Sequence, residues 1–309
     1  MEVTNLIEDY LFLWILGSVS LGLLFPQIRV LEPFSTVILA VMIGSISLTL
    51  SVENFREMRP RSLIGILVVQ TSMPFVAYAV ARLLSLSPEL TVGFVLLGAV
   101  TPELVTPVMT ELAGGDTALA TTTVVVVGMA TVFLVPGTLT VLLGKTVAFD
   151  PVLIVEGLLL AVVLPMLLAI SLRHRWTERV STYDTYYPSV SALMVILIIG
   201  VVTASNVSNI TGNTSVLVVV GAGAVALNLT GYGLGWSSSS LLGFDPDERT
   251  AATFSVGMRD FAVAAALVVS AGFPPIASLP AVVFGIFEML SSAVLARYFS
   301  QGGRRFTRR

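Results

Sequence analysis

Cysteine is absent from this sequence, and His174 is its single histidine. Without cysteine the chain cannot form a disulfide or offer a thiolate to a metal. Structural zinc sites are built from several cysteine and histidine ligands, so a zinc centre is not expected. The sequence also lacks a phosphate-binding glycine loop, a nucleophile elbow and a metal-ligand cluster. We therefore predict no cofactor and no enzymatic activity.

Charged residues are scarce as well. They make up 11% of the chain, whereas a soluble domain carries about 25%. Hydrophobic residues make up 55%, and the mean hydropathy is +0.94. So few charges cannot cover a water-facing surface. We predict an all-α integral membrane protein that is surrounded by a lipid bilayer and has no nucleic-acid partner.

Long apolar runs divide the chain into ten predicted transmembrane segments. A helix needs about 20 apolar residues to cross the hydrocarbon core. The segments cover residues 9–26, 33–51, 61–84, 88–112, 116–142, 152–172, 186–204, 214–236, 249–272 and 276–299. The connections are too short for a soluble domain. Residues 1–309 are therefore predicted to form a single membrane domain with a short cytoplasmic tail at 300–309.

Basic residues lie mainly on one side of this arrangement. If both termini share a side, the opposite side receives Arg29, Arg82 and Lys145. The side of the termini receives Arg56, Arg59, Arg61, Arg173, Arg175, Arg179, Arg249, Arg297, Arg304, Arg305, Arg308 and Arg309. Cytoplasmic loops carry the excess of Lys and Arg in membrane proteins. The asymmetry predicts a multi-pass protein of the plasma membrane with both termini in the cytoplasm.

The predicted external connection between the seventh and eighth segments contains three acceptor sequons for N-glycosylation. They begin at Asn206, Asn209 and Asn213. One interpretation is a glycosylated outer loop, in a host that has the machinery. The other is a polar connection that forms turns.

The ten segments fall into two halves, residues 9–145 and 151–300. Because five is an odd number, the second half enters the membrane in the opposite sense to the first. This arrangement is typical of inverted-repeat transporters. The interrupted apolar segments are the fourth of each half, which are the fourth and ninth of the whole chain.

Two prolines interrupt the fourth segment. Pro102 and Pro107 each remove a helix hydrogen bond, so the helix is predicted to unwind there. Glu103 lies between them, and a carboxylate at membrane depth costs roughly 3 kcal/mol on insertion scales. The interruption is interpreted either as a binding-site break or as a proline kink that leaves Glu103 near the interface.

A charged pair interrupts the ninth segment. Arg259 and Asp260 follow Gly257 in an otherwise apolar run. Neighbouring residues on a helix do not face each other, so unwinding around Gly257 is predicted to turn both side chains toward one cavity. One interpretation gives Arg259 an anionic substrate, beside the positive end of a half-helix. The other is a structural ion pair of Arg259 with Glu103 or Asp260.

Other polar residues in the apolar runs are weaker candidates. Gln70 lies in the middle of the third segment, and Thr123 lies in the fifth. Threonine often bonds to a carbonyl of its own helix, which is an alternative reading for Thr123. Glu156 and Glu288, in the sixth and tenth segments, are interpreted as interfacial.

With these two interrupted segments the chain resembles the bile acid:sodium symporter family. The resemblance is strongest over residues 98–123 and 249–298. The first stretch contains VMTELAGGDTAL at 108–119, and the second contains VGM at 256–258 and LPAVVF at 279–284. The family implies a panel of segments one, two, six and seven, and a core of segments three to five and eight to ten. It also implies that segments four and nine cross where they unwind, with an organic-anion substrate and two sodium ions beside the crossing.

Several residues depart from the family pattern. The family has a Ser-Asn pair where this chain has Thr106 and Pro107, and it has a Ser and a Thr in place of Ala120 and Val124. It has Glu-Val-Gly-Met-Gln-Asn where residues 255–260 read SVGMRD. The resemblance matches Gln70 to a sodium-site glutamine and Met258 to a main-chain ligand. With the shared carboxylate gone and an arginine in place of an amide, we infer that Arg259 replaces sodium electrostatically.

The sequence therefore predicts a secondary transporter of a small organic anion, of the carboxylate or sterol-conjugate class, that works by alternating access. The predicted substrate-binding residues are Arg259, Asp260, Glu103, Thr106, Ser255 and Thr110. The predicted ion-coupling residues are Gln70, Met258, Asp260, Glu103 and Thr123. Sodium coupling is doubtful, and proton coupling or uncoupled transport are the alternatives. A membrane sensor or scaffold without flux, or an exporter of the same superfamily, remain rival functions.

Overall fold

The computed structural model describes residues 11–50, 59–144, 146–212 and 214–306. Within these ranges the regular structure is helical throughout, with no strand, so the all-α prediction is confirmed. Several predicted features lie outside the described residues: the start of the first segment, most of the connection after the second, Arg56, Lys145, Asn213, and Arg308 and Arg309 at the end of the tail.

In the described part of the first half of the chain there are six α-helices. They are α1 Leu11–Leu24, α2 Ser35–Ser47, α3 Pro60–Leu83, α4 Pro88–Ala99, α5 Thr106–Leu112 and α6 Thr117–Leu143. A 3-10 helix, Pro26–Phe34, joins α1 to α2. The fourth predicted segment is divided between α4 and α5, so it is interrupted as predicted.

Among the residues that the structure describes, the second half contains nine α-helices. They are α7 Pro151–Leu158, α8 Leu164–Arg175, α9 Thr177–Ser181, α10 Tyr187–Ser205, α11 Val207–Gly212, α12 Thr214–Leu241, α13 Pro246–Gly257, α14 Phe261–Ser270 and α15 Leu279–Phe306. A π-helical turn, Leu159–Val163, joins α7 to α8, and a 3-10 turn, Pro275–Ser278, precedes α15. The ninth predicted segment is divided between α13 and α14.

Eight of the ten predicted segments are helical and long and apolar enough, in the described ranges, to cross a membrane. The first and fourth segments are represented by the shorter apolar helices Leu13–Leu24 and Pro88–Ala99. A multi-pass membrane protein is therefore supported by length and composition. The count of ten crossings and the inverted repeat stay predictions.

The helices pack in two groups. One group contains α1, α2 and α10 together with the α7–α8 segment, and α10 packs against both α1 and α2. The other contains α3 to α6 and α12 to α15, with α12 packed against α3, α13 and α15. Helix α14 contacts both groups, because it packs against α15 and also against α2 and α10. The broken ninth segment therefore lies at the boundary between the two groups.

Glycine permits the close approach of α12 to α13. A Cβ added to Gly257 would lie 2.0 Å from the Tyr232 ring, and one added to Gly231 would lie 2.8 Å from the Gly257 Cα. A Cβ on Gly235 would lie 2.6 Å from the Ala252 carbonyl oxygen. Small residues let transmembrane helices pack backbone to backbone, and here they press α12 onto the end of α13.

The starts of α3 and α13 are held together by polar side chains. Asp245 and Glu248 form a capping box at the start of α13, and Glu248 accepts a hydrogen bond from Ser62 Oγ at 2.8 Å. Arg59, directly before α3, forms an ion pair with Asp245. The hydrogen bond to Asp245 and the nearby carboxylates raise the pKa of Arg59.

The predicted outer loop after α10 is more ordered than a loop of turns. It contains α11, and Asn206 is buried, with its side-chain amide donating to the Val202 carbonyl and to Ser278 Oγ, each at 2.9 Å. Asn209 donates to Asn206 Oδ1 at 3.1 Å. Asn206 is therefore a structural residue and not an accessible sequon, because its amide is fully used inside the fold.

Candidate functional site

The two interrupted segments meet at their unwound residues. The Asp260 backbone N–H donates to the Thr101 carbonyl at 3.0 Å, and Thr106 Oγ1 lies 3.8 Å from Met258 Sδ. Residues 100–105 separate α4 from α5, and residues 258–260 separate α13 from α14. Non-helical backbone at membrane depth is tolerated where protein or a cavity surrounds it, and here each break partly satisfies the other.

Arg259 is fully buried at this crossing. Its guanidinium Nη1 donates to the carbonyls of Gly98 and Val100 at 3.3 and 3.4 Å. Its Nη2 donates to Gln70 Oε1 at 3.1 Å and to the Val256 carbonyl at 3.0 Å. All four acceptors are neutral oxygens, and they come from α3, from the end of α4, from the first residue of the break after it, and from α13.

The ion pair of Arg259 with Glu103 or Asp260, which was the alternative interpretation of this segment, is not formed. None of the ion pairs within 4.0 Å in the described part of the chain includes Arg259. Backbone carbonyls that the unwound segment leaves free take the place of a carboxylate. The cation is held by dipoles, as a metal ion is held by a ring of oxygen atoms.

Three carboxyl groups surround the backbone of the crossing, and all are buried: Glu103, Asp260 and Glu288. Asp260 caps α14 by accepting from the Val263 N–H at 2.9 Å. Glu288 Oε1 accepts from the Arg259 backbone N–H at 3.2 Å. Within the described ranges, one oxygen of each carboxyl group has no hydrogen-bond partner: Glu103 Oε2, Asp260 Oδ2 and Glu288 Oε2.

Two interfacial placements that the sequence left open do not agree with the structure. Glu288 is fully buried and not interfacial, because it lies on the side of α15 that faces the broken ninth segment. Glu103 is also buried rather than near an interface. Glu288 lies four residues after Phe284 and four before Ser292, and these two residues are also buried and mark the inner face of α15.

The predicted hydroxyl groups divide into two kinds. Thr110 and Thr123 each donate at 2.8 Å to the carbonyl four residues earlier in their own helix, so they do not contribute free hydroxyls to the crossing. Thr106 and Ser255 are fully buried at the breaks, and Ser255 Oγ has no partner. Gln70 donates nothing through its buried Nε2, although its Oε1 holds Arg259.

Two surface cavities flank the crossing at opposite ends of the ninth segment. One, of about 910 Å³, is lined near the start of α13 by aromatic residues that include Tyr232, Trp236 and Phe299. The other, of about 690 Å³, lies beside the 3-10 helix after α1 and reaches Val269 near the end of α14. Their linings include neither Arg259 nor the three carboxyl groups, so in this conformation the charged groups are closed off from both.

A family model describes almost the whole chain. It is the model of the SBF-like CPA transporter family (DUF4137), and it matches residues 10–301. The chain belongs to this family. The resemblance to bile acid:sodium symporters is thereby confirmed at the level of the family, and the chain is a membrane transporter rather than an enzyme.

Relatives of this family member cover most of its length. It is 27% identical over 293 residues to a Bacillus subtilis (strain 168) protein named as an uncharacterized sodium-dependent transporter, YocS, covering 94% of this chain and 90% of that one. It is 22% identical over 289 residues to an Arabidopsis thaliana protein named as a probable chloroplastic sodium/metabolite cotransporter, BASS1, covering 92% and 71%. A rice protein with the same description is 23% identical over 258 residues, covering 82% and 63%.

Proposed function

We propose that this protein is a secondary transporter of a small organic anion. In this proposal the protein itself supplies a cation, the side chain of Arg259, in place of a sodium ion. The observation that supports this most directly is the guanidinium enclosed by four neutral oxygens. The relatives are named for sodium-dependent transport. The proposed difference between this chain and its relatives therefore lies at one residue, Arg259, which supplies the positive charge in place of a sodium ion.

The donor set supports the proposal that Arg259 takes the place of a sodium ion. A hard cation takes several oxygen ligands, mostly carbonyls and carboxylates. Gln70 Oε1 and the carbonyls of Gly98, Val100 and Val256 already accept from Arg259. A sodium ion at that point would be repelled by the fixed positive charge of Arg259. It would have to displace the guanidinium to reach these oxygens. Arginine does not lose its charge in proteins, so the internal cation is permanent.

In this proposal the anion binds beside the crossing and the two helix groups move against each other. The exposed route to the site alternates between the two sides of the membrane, with Thr106, Ser255 and the unwound backbone as orienting groups. Arg259 contributes long-range attraction to the anion rather than a direct contact, because its hydrogen bonds are directed away into the protein. Asp260 and Glu103 are the predicted proton-coupling groups.

The membrane orientation belongs to the same proposal. The twelve arginines on the side of the termini, against three basic residues opposite, favour cytoplasmic termini in a plasma membrane. The cavity lined by Tyr232 and Trp236 then opens to the cytoplasm, since its lining includes Gln301 close to the C-terminus.

Uptake into proteoliposomes tests the proposal. The probes are radiolabelled pantoate, pyruvate and a conjugated sterol acid, each with an inward gradient of sodium or of choline at fixed pH. We expect uptake of at least one probe at the same rate in both gradients. Strict sodium dependence in the wild-type protein would contradict the internal cation, and binding without uptake would favour the sensor or scaffold.

The matched variants are R259Q and R82Q. Arg259→Gln restores the amide of the family pattern and removes the internal charge, so we expect sodium-independent uptake to fall at least tenfold. Arg82 is exposed in the last turn of α3, so R82Q should transport like the wild-type protein. Equal uptake by R259Q and R82Q would remove Arg259 from the mechanism.

A further inference from the structure

The charges buried at the crossing do not balance. Glu103, Asp260 and Glu288 have three carboxyl groups, whereas Arg259 supplies one positive charge, and all four side chains are buried. Glu103 interacts electrostatically with both Asp260 and Glu288. An uncompensated charge in a low-dielectric interior costs so much that the group takes up a proton instead. At least one of these carboxyl groups is therefore neutral in this conformation.

Asp260 is the carboxyl group best placed to stay ionised. It caps the ten-residue helix α14 and accepts from the Val263 N–H at 2.9 Å. Both the cap hydrogen bond and the positive end of the helix favour a negative charge there. Its charge then balances that of its neighbour Arg259 across the break.

Glu103 has intermediate support. Its carboxyl group lies beside the backbone N–H groups of Leu104 and Phe261, and Phe261 is the first residue of α14. A carboxylate next to backbone donors at a helix start is partly stabilised. A negative charge on Glu103 is therefore stabilised by the same helix start that stabilises Asp260. The two carboxyl groups are close to each other, however, so two negative charges there would repel.

Glu288 has the least support for a negative charge. It lies in the interior of α15, away from either helix end, and the Arg259 backbone N–H is its one hydrogen-bond donor in the described structure. Its Oε2 has no partner. The Arg259 guanidinium is directed to the carbonyls of Gly98, Val100 and Val256 and to Gln70 instead, so no salt bridge compensates Glu288.

We propose that Glu288 is a proton-binding residue of the transport cycle, protonated while its carboxyl group faces the broken ninth segment and deprotonated when that segment moves away. The assignment of this residue to a transport cycle rests on the proposed function. The protonated state itself follows from the burial of the Glu288 carboxyl group and from its hydrogen-bond partners. The proton sits on Oε2, the oxygen without a partner in the described structure, and it leaves to water when the movement of the segment exposes the carboxyl group to solvent. No other covalent bond changes.

A polar row leads from the turn of Glu288 toward water. Ser291 Oγ lies 3.2 Å from the Glu288 carbonyl and donates to Asn228 Oδ1 at 2.7 Å. Tyr232 OH lies 3.5 Å from Ser291 Oγ, and Tyr232 lines the cavity of about 910 Å³. Asn228 in turn donates to the Gly257 carbonyl at 3.2 Å. The row therefore connects the broken helix, the turn of Glu288 and the cavity on the side of α13.

Several titratable or charged groups face Glu288 from the elements packed around it. They are Tyr232 from α12, Glu103 from the link between α4 and α5, and Arg259 and Asp260 from the link between α13 and α14. Because the neighbouring carboxyl groups also respond to pH, a single titration curve of activity would not identify Glu288. The test has to observe the carboxyl group itself.

Infrared spectroscopy of the purified protein in lipid provides that observation. A protonated carboxyl group absorbs in a carbonyl band that an ionised carboxylate lacks. We expect this band in the wild-type protein at neutral pH, its partial loss in E288Q, and no loss in the control E156Q, in which an exposed glutamate of α7 is changed. A band of equal size in E288Q and the wild-type protein would overturn the proposal.

Folding of the variant provides a second criterion. Glutamine is the closest neutral mimic of a protonated glutamate, so E288Q should fold and should melt at or above the wild-type temperature at neutral pH. As pH rises, the wild-type protein should lose stability, because residue 288 ionises when the chain unfolds but holds its proton in the buried site, while E288Q should lose less. An E288Q protein that fails to fold, while E156Q folds, would show that residue 288 is needed as a carboxylate. Neither measurement uses a substrate, so a failure of the uptake assay leaves this test intact. The infrared band tests whether Glu288 is protonated, and the uptake assay tests whether the protein is a transporter.

Discussion

The fourth and ninth segments both lose their helical backbone, but by different means. In the fourth, Pro102 lies inside the break between α4 and α5, and Pro107 lies in the first turn of α5. Proline has no N–H to donate and clashes with the preceding turn. It also fits well at the start of a helix. This break is therefore encoded locally, in the covalent chemistry of two residues.

The ninth segment has no proline between α13 and α14. Helix α13 ends where Gly257 lies against Tyr232, and Asp260 starts the next helix as its cap. Arg259 joins the two breaks, since it donates to the carbonyls of Gly98 and Val100 in the fourth segment. The ninth break thus depends on packing, a cap and a buried charge, and we expect it to be more sensitive to single substitutions.

The largest effect is expected at Gly257. In G257A the new Cβ would lie 2.0 Å from the Tyr232 ring, so α12 must move away from α13. We expect a loss of about 3 kcal/mol in the free energy of unfolding, the upper part of the range for overpacking. Gly233 on α12 is the control, because nothing lies within 4 Å of a Cβ added there. Equal melting temperatures for G257A and G233A would show that the packing at the break is not tight.

The cap of α14 should matter less. Asp260→Ala removes the acceptor of the Val263 N–H, and loss of a helix cap costs about 1 kcal/mol. Asp260→Asn keeps an acceptor and removes only the charge, so it should unfold between the wild-type protein and D260A. Unfolding in denaturant measures the three proteins side by side. If D260N were as unstable as D260A, the charge would matter more than the cap.

The fourth break should tolerate the loss of one proline. In P102A the helix could in principle continue, but Arg259 and Asp260 hold the carbonyls of Gly98, Val100 and Thr101. We expect P102A alone to change stability by less than about 1 kcal/mol. In R259Q this restraint is weakened, so P102A should act differently there. A double-mutant cycle with P102A and R259Q tests the coupling, and strict additivity would mean that the two breaks are independent.

The smallest effect is expected far from both breaks, at Arg59. Its ion pair with Asp245 is exposed, and exposed pairs contribute little. The pKa of Arg59 is raised by that hydrogen bond, so its contribution is present below the ordinary arginine pKa and is lost only as pH rises above it. R59Q should therefore have the melting temperature of the wild-type protein throughout the neutral pH range. A large pH-dependent loss of melting temperature in R59Q would show that the ion pair does more than join α3 to α13.

The sequence predicted the class of fold and the position of both breaks for physical reasons that act locally. Apolar runs, Pro102 and the Arg259–Asp260 pair are visible without any tertiary information. The partners of Arg259 could not be predicted in the same way, because Gly98, Val100 and Val256 contribute backbone carbonyls, which every residue has. Only the three-dimensional crossing selects which of those carbonyls are free.

Glu288 shows a second kind of limit. Its residue type suggested an interface, since a charged side chain usually avoids the hydrocarbon core. Its position four residues from Phe284 and from Ser292 places it on the buried face of α15. The sequence alone does not identify that face, because Ser292 is polar and its burial is visible only in the three-dimensional packing. Thr123 was likewise resolved only by its hydrogen bond, which stays within its own helix.

Sodium binding to the purified protein tests the internal cation most directly. Melting curves are compared in sodium chloride and in choline chloride at equal ionic strength, for the wild-type protein and for R259Q. If Arg259 occupies the place of the ion, the wild-type curves coincide, whereas sodium stabilises R259Q by filling the oxygen cage that the guanidinium has left. A sodium-specific stabilisation of the wild-type protein, equal to or larger than that of R259Q, would contradict the account.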